Sequence, residues 1–113
     1  MTKQNIERTG LPPLRFIGMP VGNGSTRGTN SNRWTNVRIF VTQGGKWVAS
    51  IVNRTQWEGE HDYAKAQGFE TPKELIKFLS DDEGLLGRAS QEACEAASSK
   101  CPDFSTAFVE NID

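Results

Sequence analysis

Residues 34–54 read WTNVRIFVTQGGKWVASIVNR. Val37, Ile39 and Val41 alternate with Asn36, Arg38, Phe40 and Thr42, and the run from Trp47 to Val52 is rich in β-branched residues. Two such runs around Gly44-Gly45 predict a β-hairpin with a primed two-residue turn. With Gly44 and Gly45 as the loop, Gln43 pairs with Lys46, and Val37, Ile39 and Val41 face Val52, Ser50 and Val48. Arg38, Phe40 and Thr42 then face Ile51, Ala49 and Trp47 on the opposite side. The first face is the expected core.

Outward from the hairpin, Leu14 to Val21 alternates weakly and contains Gly18 and Pro20, which suits an edge strand. Gly22 to Arg33 (GNGSTRGTNSNR) has no aliphatic or aromatic side chain and is expected as a surface loop. Its Gly22, Gly24 and Gly28 miss the dinucleotide-binding spacing by one residue. Residues 1–13 end in Leu11-Pro12-Pro13 and suggest an extended arm. On the other side, His61 to Phe69 lacks a helical period and is expected as a fourth strand. Thr71-Pro72-Lys73-Glu74 then supplies an N-cap, a proline at N1 and an acid at N3, the arrangement that satisfies orphan amides at a helix start. Leu75, Ile76 and Leu79 form that helix's apolar stripe. A second helix shows Leu86, Ala89, Ala93 and Ala96/Ala97 on a narrow small-residue face. Pro102 opens a third, with Phe104, Phe108 and Ile112 at i, i+4 and i+8. The expectation is α+β: an antiparallel β-meander of three to four strands followed by two to three C-terminal helices, with an arm at 1–13 and a single domain at 14–113.

Charge sharpens the picture. The 113 residues carry a formal net charge of -1, but the charge is segregated. Up to Gln56, eight bases (Lys3, Arg8, Arg15, Arg27, Arg33, Arg38, Lys46 and Arg54) meet only Glu7, a balance of +7; from Trp57 onward, 13 acids meet five bases, a balance of -8. Such asymmetry points to a nucleic-acid or basic-protein partner, unless the two halves neutralise each other within the fold. No apolar run approaches the ~20 residues of a membrane helix, and the N-terminal residues lack the apolar core of a secretory signal, so a cytoplasmic setting without membrane contact is expected.

Chemistry-bearing constellations are sparse. Cys94 and Cys101 with one histidine cannot complete a four-ligand zinc site, and no cofactor or metal is implied. His61 lies among Glu58, Glu60, Asp62 and Tyr63, yet on a strand Glu60 and Asp62 share one face while His61 takes the other. The chain therefore suggests a non-enzymatic binding module. Its sharpest form is a basic aromatic sheet face of Arg27, Arg33, Trp34, Arg38, Phe40, Trp47 and Arg54, on which single-stranded bases stack while guanidiniums hold phosphates. Those aromatics would instead make a second, minor core if the arm and the long loop covered them. The alternative is an inhibitor or immunity-type protein presenting Asp81, Asp82, Glu83, Glu92 and Glu95 to a basic partner. A homodimer through a sheet edge or the aromatic face is also open.

The run RWTNVRIFVTQGGKWVASIVNRTQWEGE followed by ETPKELIKFL resembles short bacterial proteins associated with plasmids and phages. The likeness spans roughly residues 14–80 and rests on the hairpin pattern. It implies a setting and carries no site residue.

Overall fold

The computed structural model describes residues 1–28 and 31–110. It is α+β, with β1 (Thr2–Arg8), β2 (Leu11–Ser25), β3 (Arg33–Thr42), β4 (Trp47–Thr55) and β5 (Tyr63–Phe69) preceding α1 (Pro72–Leu79), α2 (Arg88–Lys100) and α3 (Pro102–Phe108). The strands form one antiparallel sheet in sequence order. Five strands replace the expected three to four. Among the described residues no helix is long and apolar enough to cross a membrane.

The fifth strand comes from the segment expected as an arm. Thr2 to Ile6 pair with Gly18 to Leu14 around a Thr9-Gly10 turn in which Gly10 takes φ +76°. Ile6 anchors this strand by burying its side chain. Pro12 and Pro13 are tolerated because this half of β2 pairs with β1 alone and leaves its other edge free. β2 is shared between two neighbours: Leu11 to Gly18 pair with β1, and Gly18 to Ser25 pair with β3 across a bulge between Pro20 and Gly22. A bulge bends its strand and raises the local twist. The sheet accordingly curls until the Thr9 amide donates to the Ala64 carbonyl and the Ala64 amide to the Thr9 hydroxyl, both at 2.8 Å.

Gly22 to Ser25, expected within a loop, are strand because α2 lies directly on them. A Cβ on Gly24 would stand 2.8 Å from the Ala89 carbonyl carbon, and one on Gly22 would stand 3.2 Å from that of Ala93, each nearer still to the oxygen. The missing side chains are the socket for a helix whose facing residues are Ala89, Ala93 and Ala97, all buried. The remainder of the expected loop includes residues 29 and 30, which lie outside the described residues, as does Ile112 of the last apolar stripe.

The hairpin forms one residue out of the expected register. Val37 pairs with Ile51, Phe40 with Val48 and Val41 with Trp47. The loop has three residues, Gln43, Gly44 and Gly45, with Gly45 at φ +82°; the Thr42 amide donates to the Lys46 carbonyl at 2.8 Å, and the Lys46 amide donates to the Thr42 hydroxyl at 2.9 Å. That is the three-residue hairpin with its last residue left-handed. Because side chains alternate, the shift sends every β4 residue to the opposite face. Trp47 and Ala49 therefore join Val37, Ile39, Val21 and Phe69 beneath the helices, where Leu75, Leu79 and Phe104 close the principal core. Phe40 and Val48 join Ile6 and Ala66 in a second core on the concave face, with Leu14 and Phe16 packed against it.

The helices start as expected. The Thr71 hydroxyl accepts from the Glu74 amide at 3.3 Å and donates to its carboxylate at 3.0 Å, with Pro72 at the first position.

Candidate functional site

Curling sorts the basic residues by strand parity. Trp34, Arg38 and Phe40 alternate on the concave face of β3, and Ser50, Val52 and Arg54 answer them on β4. Arg8 comes to the same place on β1, two residues beyond the buried Ile6. Arg8, Arg38, Ser50, Val52 and Arg54 line a cleft of about 530 Å³ closed on the β5 side by Asp62 and Ala64. Ser50, only 3% exposed, lies in its wall. A second cleft of about 580 Å³ adjoins it around Arg33, Trp34, Arg54, Glu60, His61 and Tyr63. Arg54 belongs to both.

Of the residues predicted for the aromatic face, Arg27, Arg33, Trp34, Arg38 and Arg54 gather at this end of the sheet. Phe40 and Trp47 do not serve as open platforms. Phe40 is fully buried and meets the Phe16 ring edge-on at 5.4 Å; Trp47 lies in the other core, 5.5 Å from Phe104. The guanidinium of Arg27 sits 4.1 Å over the half-buried Trp34 ring, and that of Arg38 sits 4.8 Å over Phe40. Such stacking favours a cation held flat on an aromatic face. Arg27 and Arg38 have no carboxylate partner among the described residues. Arg8 was missed because residues 1–13 were expected as an arm; read as a strand, the two-residue spacing from Ile6 would have placed it. Trp57 and Tyr63, each about half exposed at 52% and 51%, add open rings to the same end.

The other two arginines are occupied. Arg33 forks onto Glu60, with Nε to Oε1 at 3.0 Å and Nη2 to Oε2, and the Thr55 hydroxyl also donates to Glu60. Arg54 Nη1 donates to Asp62 at 3.1 Å, and the Thr55 amide donates to Asp62 at 3.0 Å. The Arg33 hydrogen bond, followed by the Thr55 hydroxyl, holds the Glu60 carboxyl down at about 2 from an ordinary 4.5. A depressed carboxyl contributes its stabilisation above the ordinary value and loses it as pH falls through the lowered one; for a pair this open to water the contribution is small. The Glu60 side-chain carbonyl carbon should accordingly titrate near pH 2 by NMR, and Arg33→Gln should return the midpoint toward 4.5. An unmoved midpoint in that variant would deny the pairing.

Glu60 is taken up by Arg33 and the Thr55 hydroxyl, and among the described residues it makes no hydrogen bond to His61. Among the described residues no group of three or more His, Cys, Asp and Glu is placed to hold a metal ion. Cys94 is buried, and desolvation pushes its thiol up to about 12, which suits packing rather than nucleophilic chemistry.

The acidic residues of the alternative scatter. Asp81 accepts the Glu83 and Leu85 amides, each at 2.9 Å, and so organises the turn between α1 and α2. Asp82 and Glu83 are exposed in that turn, while Glu92 and Glu95 are exposed on α2, where Gln91 donates to Glu95 at 3.0 Å. The ion pairs of the described residues are Arg33 with Glu60, Arg54 with Asp62 and Lys46 with Glu70 at 3.2 Å; none joins the sheet to α1, α2 or α3. The basic sheet and the acidic helices therefore do not neutralise each other by direct pairing among these residues. Compared with family models, with curated proteins and with solved structures, the chain matches none.

Proposed function

We propose that the protein is a non-enzymatic binding module that holds single-stranded nucleic acid along the basic end of its curled sheet. The observation that carries this reading is the pair of guanidiniums, Arg27 and Arg38, seated over aromatic rings and free of carboxylate partners among the described residues. Arg8 from β1 and Arg54 from β4 line the same cleft as Arg38. Arginine matches phosphate with a planar fork of donors, and its weak hydration lowers the cost of contact. Trp34, Trp57 and Tyr63 offer ring surface for bases, each stacked base contributing about 1–3 kcal/mol. The fully buried Phe40 acts through the guanidinium it supports.

Titrating a fluorescein-labelled oligothymidylate with protein at about 50 mM salt should give saturable binding that weakens as salt rises. Arg27→Ala with Arg38→Ala should weaken it tenfold or more. The salt slope should fall by about 1.4, since each lost single-strand phosphate contact removes about 0.7. The chemical unfolding midpoint should stay put, because both side chains are exposed. Absence of binding by the unaltered protein at that salt overturns the proposal.

A further inference from the structure

The corner between β4 and β5 carries two carboxylates whose ion pairs lie at the surface, outside both cores. Glu60 and Asp62 lie on the exposed segment 56–62, and both converge on Thr55: its hydroxyl donates to Glu60 and its amide to Asp62. From there each reaches one arginine of the candidate site, Glu60 to Arg33 and Asp62 to Arg54. These pairs are open to water, with side-chain exposures of 67% and 38% for the first and 45% and 43% for the second. Ion pairs this exposed add little to stability, so the fold gains little from keeping them. The contacts they make are of the kind a phosphodiester makes: Glu60 sets both oxygens in the Arg33 fork and accepts a hydroxyl, and Asp62 accepts one Arg54 N–H and a backbone amide.

We infer that Glu60 and Asp62 stand in for two phosphates of the bound strand, so that the empty protein carries its own acidic ligand and nucleic acid must displace it to engage Arg33 and Arg54. This rests on the proposed single-strand binding and adds regulation to the same site. The consequences are specific. Displacement releases two arginines that already sit among the ligand's contacts: Arg33 lies 6.0 Å from the Trp57 ring, and Arg54 lines both clefts. It also lets the corner swing, for which Gly59 at φ +85° and the exposed Trp57 leave room. A phosphate chain outcompetes the internal carboxylates only when it reaches several arginines together, so isolated inorganic phosphate should be a poor ligand while an oligonucleotide is a good one.

The test compares the unaltered protein with Glu60→Gln/Asp62→Asn, which keeps shape and removes charge. Binding of labelled oligothymidylate is followed from about 50 to about 200 mM salt. The variant should bind at least tenfold more tightly at the lower salt. Its salt slope should stay close to that of the unaltered protein, since both complexes make the same phosphate contacts once the carboxylates are displaced. Equal affinity in the two proteins overturns the internal-ligand inference and leaves the binding proposal standing; no binding by either overturns both. A measurement on the unaltered protein guards against a poorly folded variant: the Arg33 Nε–H NMR resonance should shift on adding the oligonucleotide and stay in place on adding inorganic phosphate. A resonance unmoved by saturating oligonucleotide overturns the inference.

Discussion

Trp47→Ala should destabilise the protein by about 3–5 kcal/mol, the cost expected when a buried aromatic is cut to a methyl and its surroundings relax only in part. Trp47 is 6% exposed, sits 5.5 Å from Phe104 and shares a core with Ile39, Phe69 and Leu75. Against a total stability of about 5–15 kcal/mol for a domain, a loss of that size takes a large fraction of the folded population's margin. Trp57→Ala is the matched control, because its ring is 52% exposed, and it should shift stability by no more than about 0.5 kcal/mol. Urea unfolding monitored by far-ultraviolet circular dichroism reads both. If Trp47 stood on an open ligand platform, its removal would spare stability and abolish oligonucleotide binding. The opposite is expected: a strongly destabilised protein that still binds below its unfolding midpoint. A stability loss under about 1 kcal/mol would contradict the observed register.

That register marks where the sequence stops being legible. The alternation of Val37, Ile39 and Val41 establishes β3 and its inward face without help from the rest of the chain. The partner strand is different, because Val48-Ala49-Ser50-Ile51 offers small or apolar groups on both faces, and parity alone cannot choose between them. The choice falls to the turn, and Gly44-Gly45 is compatible with a two-residue or a three-residue loop. The three-residue form prevails here. It puts the large Trp47 ring beneath the helices, against Phe104 and Phe69, and leaves Val48 to pack with Phe40. Both faces are buried in this part of the sheet, so the usual penalty for exposing an apolar face does not discriminate.

The basic site was visible in composition, through the segregated arginines and Trp34, and invisible in geometry. Arg8 is brought in by a strand whose one buried apolar side chain is Ile6, and the partners of Arg33 and Arg54 come from the 56–62 corner, which no sequence pattern ties to the sheet. Two-residue alternation does place Glu60 and Asp62 on one side, but nothing local indicates that both reach Thr55 and then separate arginines. Those contacts follow from the β3–β4 register, which sets Arg33 opposite Thr55, and from the corner folding back onto Thr55.

Gly24→Ala tests the opposite case, in which composition suggests a loop and the structure has a strand under a helix. The added Cβ would meet backbone: 2.8 Å from the Ala89 carbonyl carbon, nearer to its oxygen, and 2.9 Å from the Glu92 Cβ. No rotamer change relieves a clash with a helix backbone, so α2 must move off the sheet, loosening the contacts of Ala89, Ala93 and Cys94 with Val21 and Val37. Overfilling a packed site typically costs about 1–3 kcal/mol; with backbone as the obstacle, a loss near 3 kcal/mol is expected. For a chain of this size that lowers the melting temperature by roughly 10 °C or more. Gly44→Ala supplies the contrast: its Cβ would meet nothing nearer than the Thr42 hydroxyl at 3.9 Å, so stability should move by no more than about 0.5 kcal/mol. Ala89→Gly should fail to rescue Gly24→Ala, because the obstruction is the carbonyl of residue 89 and not its methyl. A Gly24→Ala protein as stable as the Gly44→Ala control, or one rescued by Ala89→Gly, would mean that α2 does not lie on β2 at the observed distance. A loss near 3 kcal/mol without rescue would establish that the missing side chain at residue 24 lets the helix layer seat against the sheet.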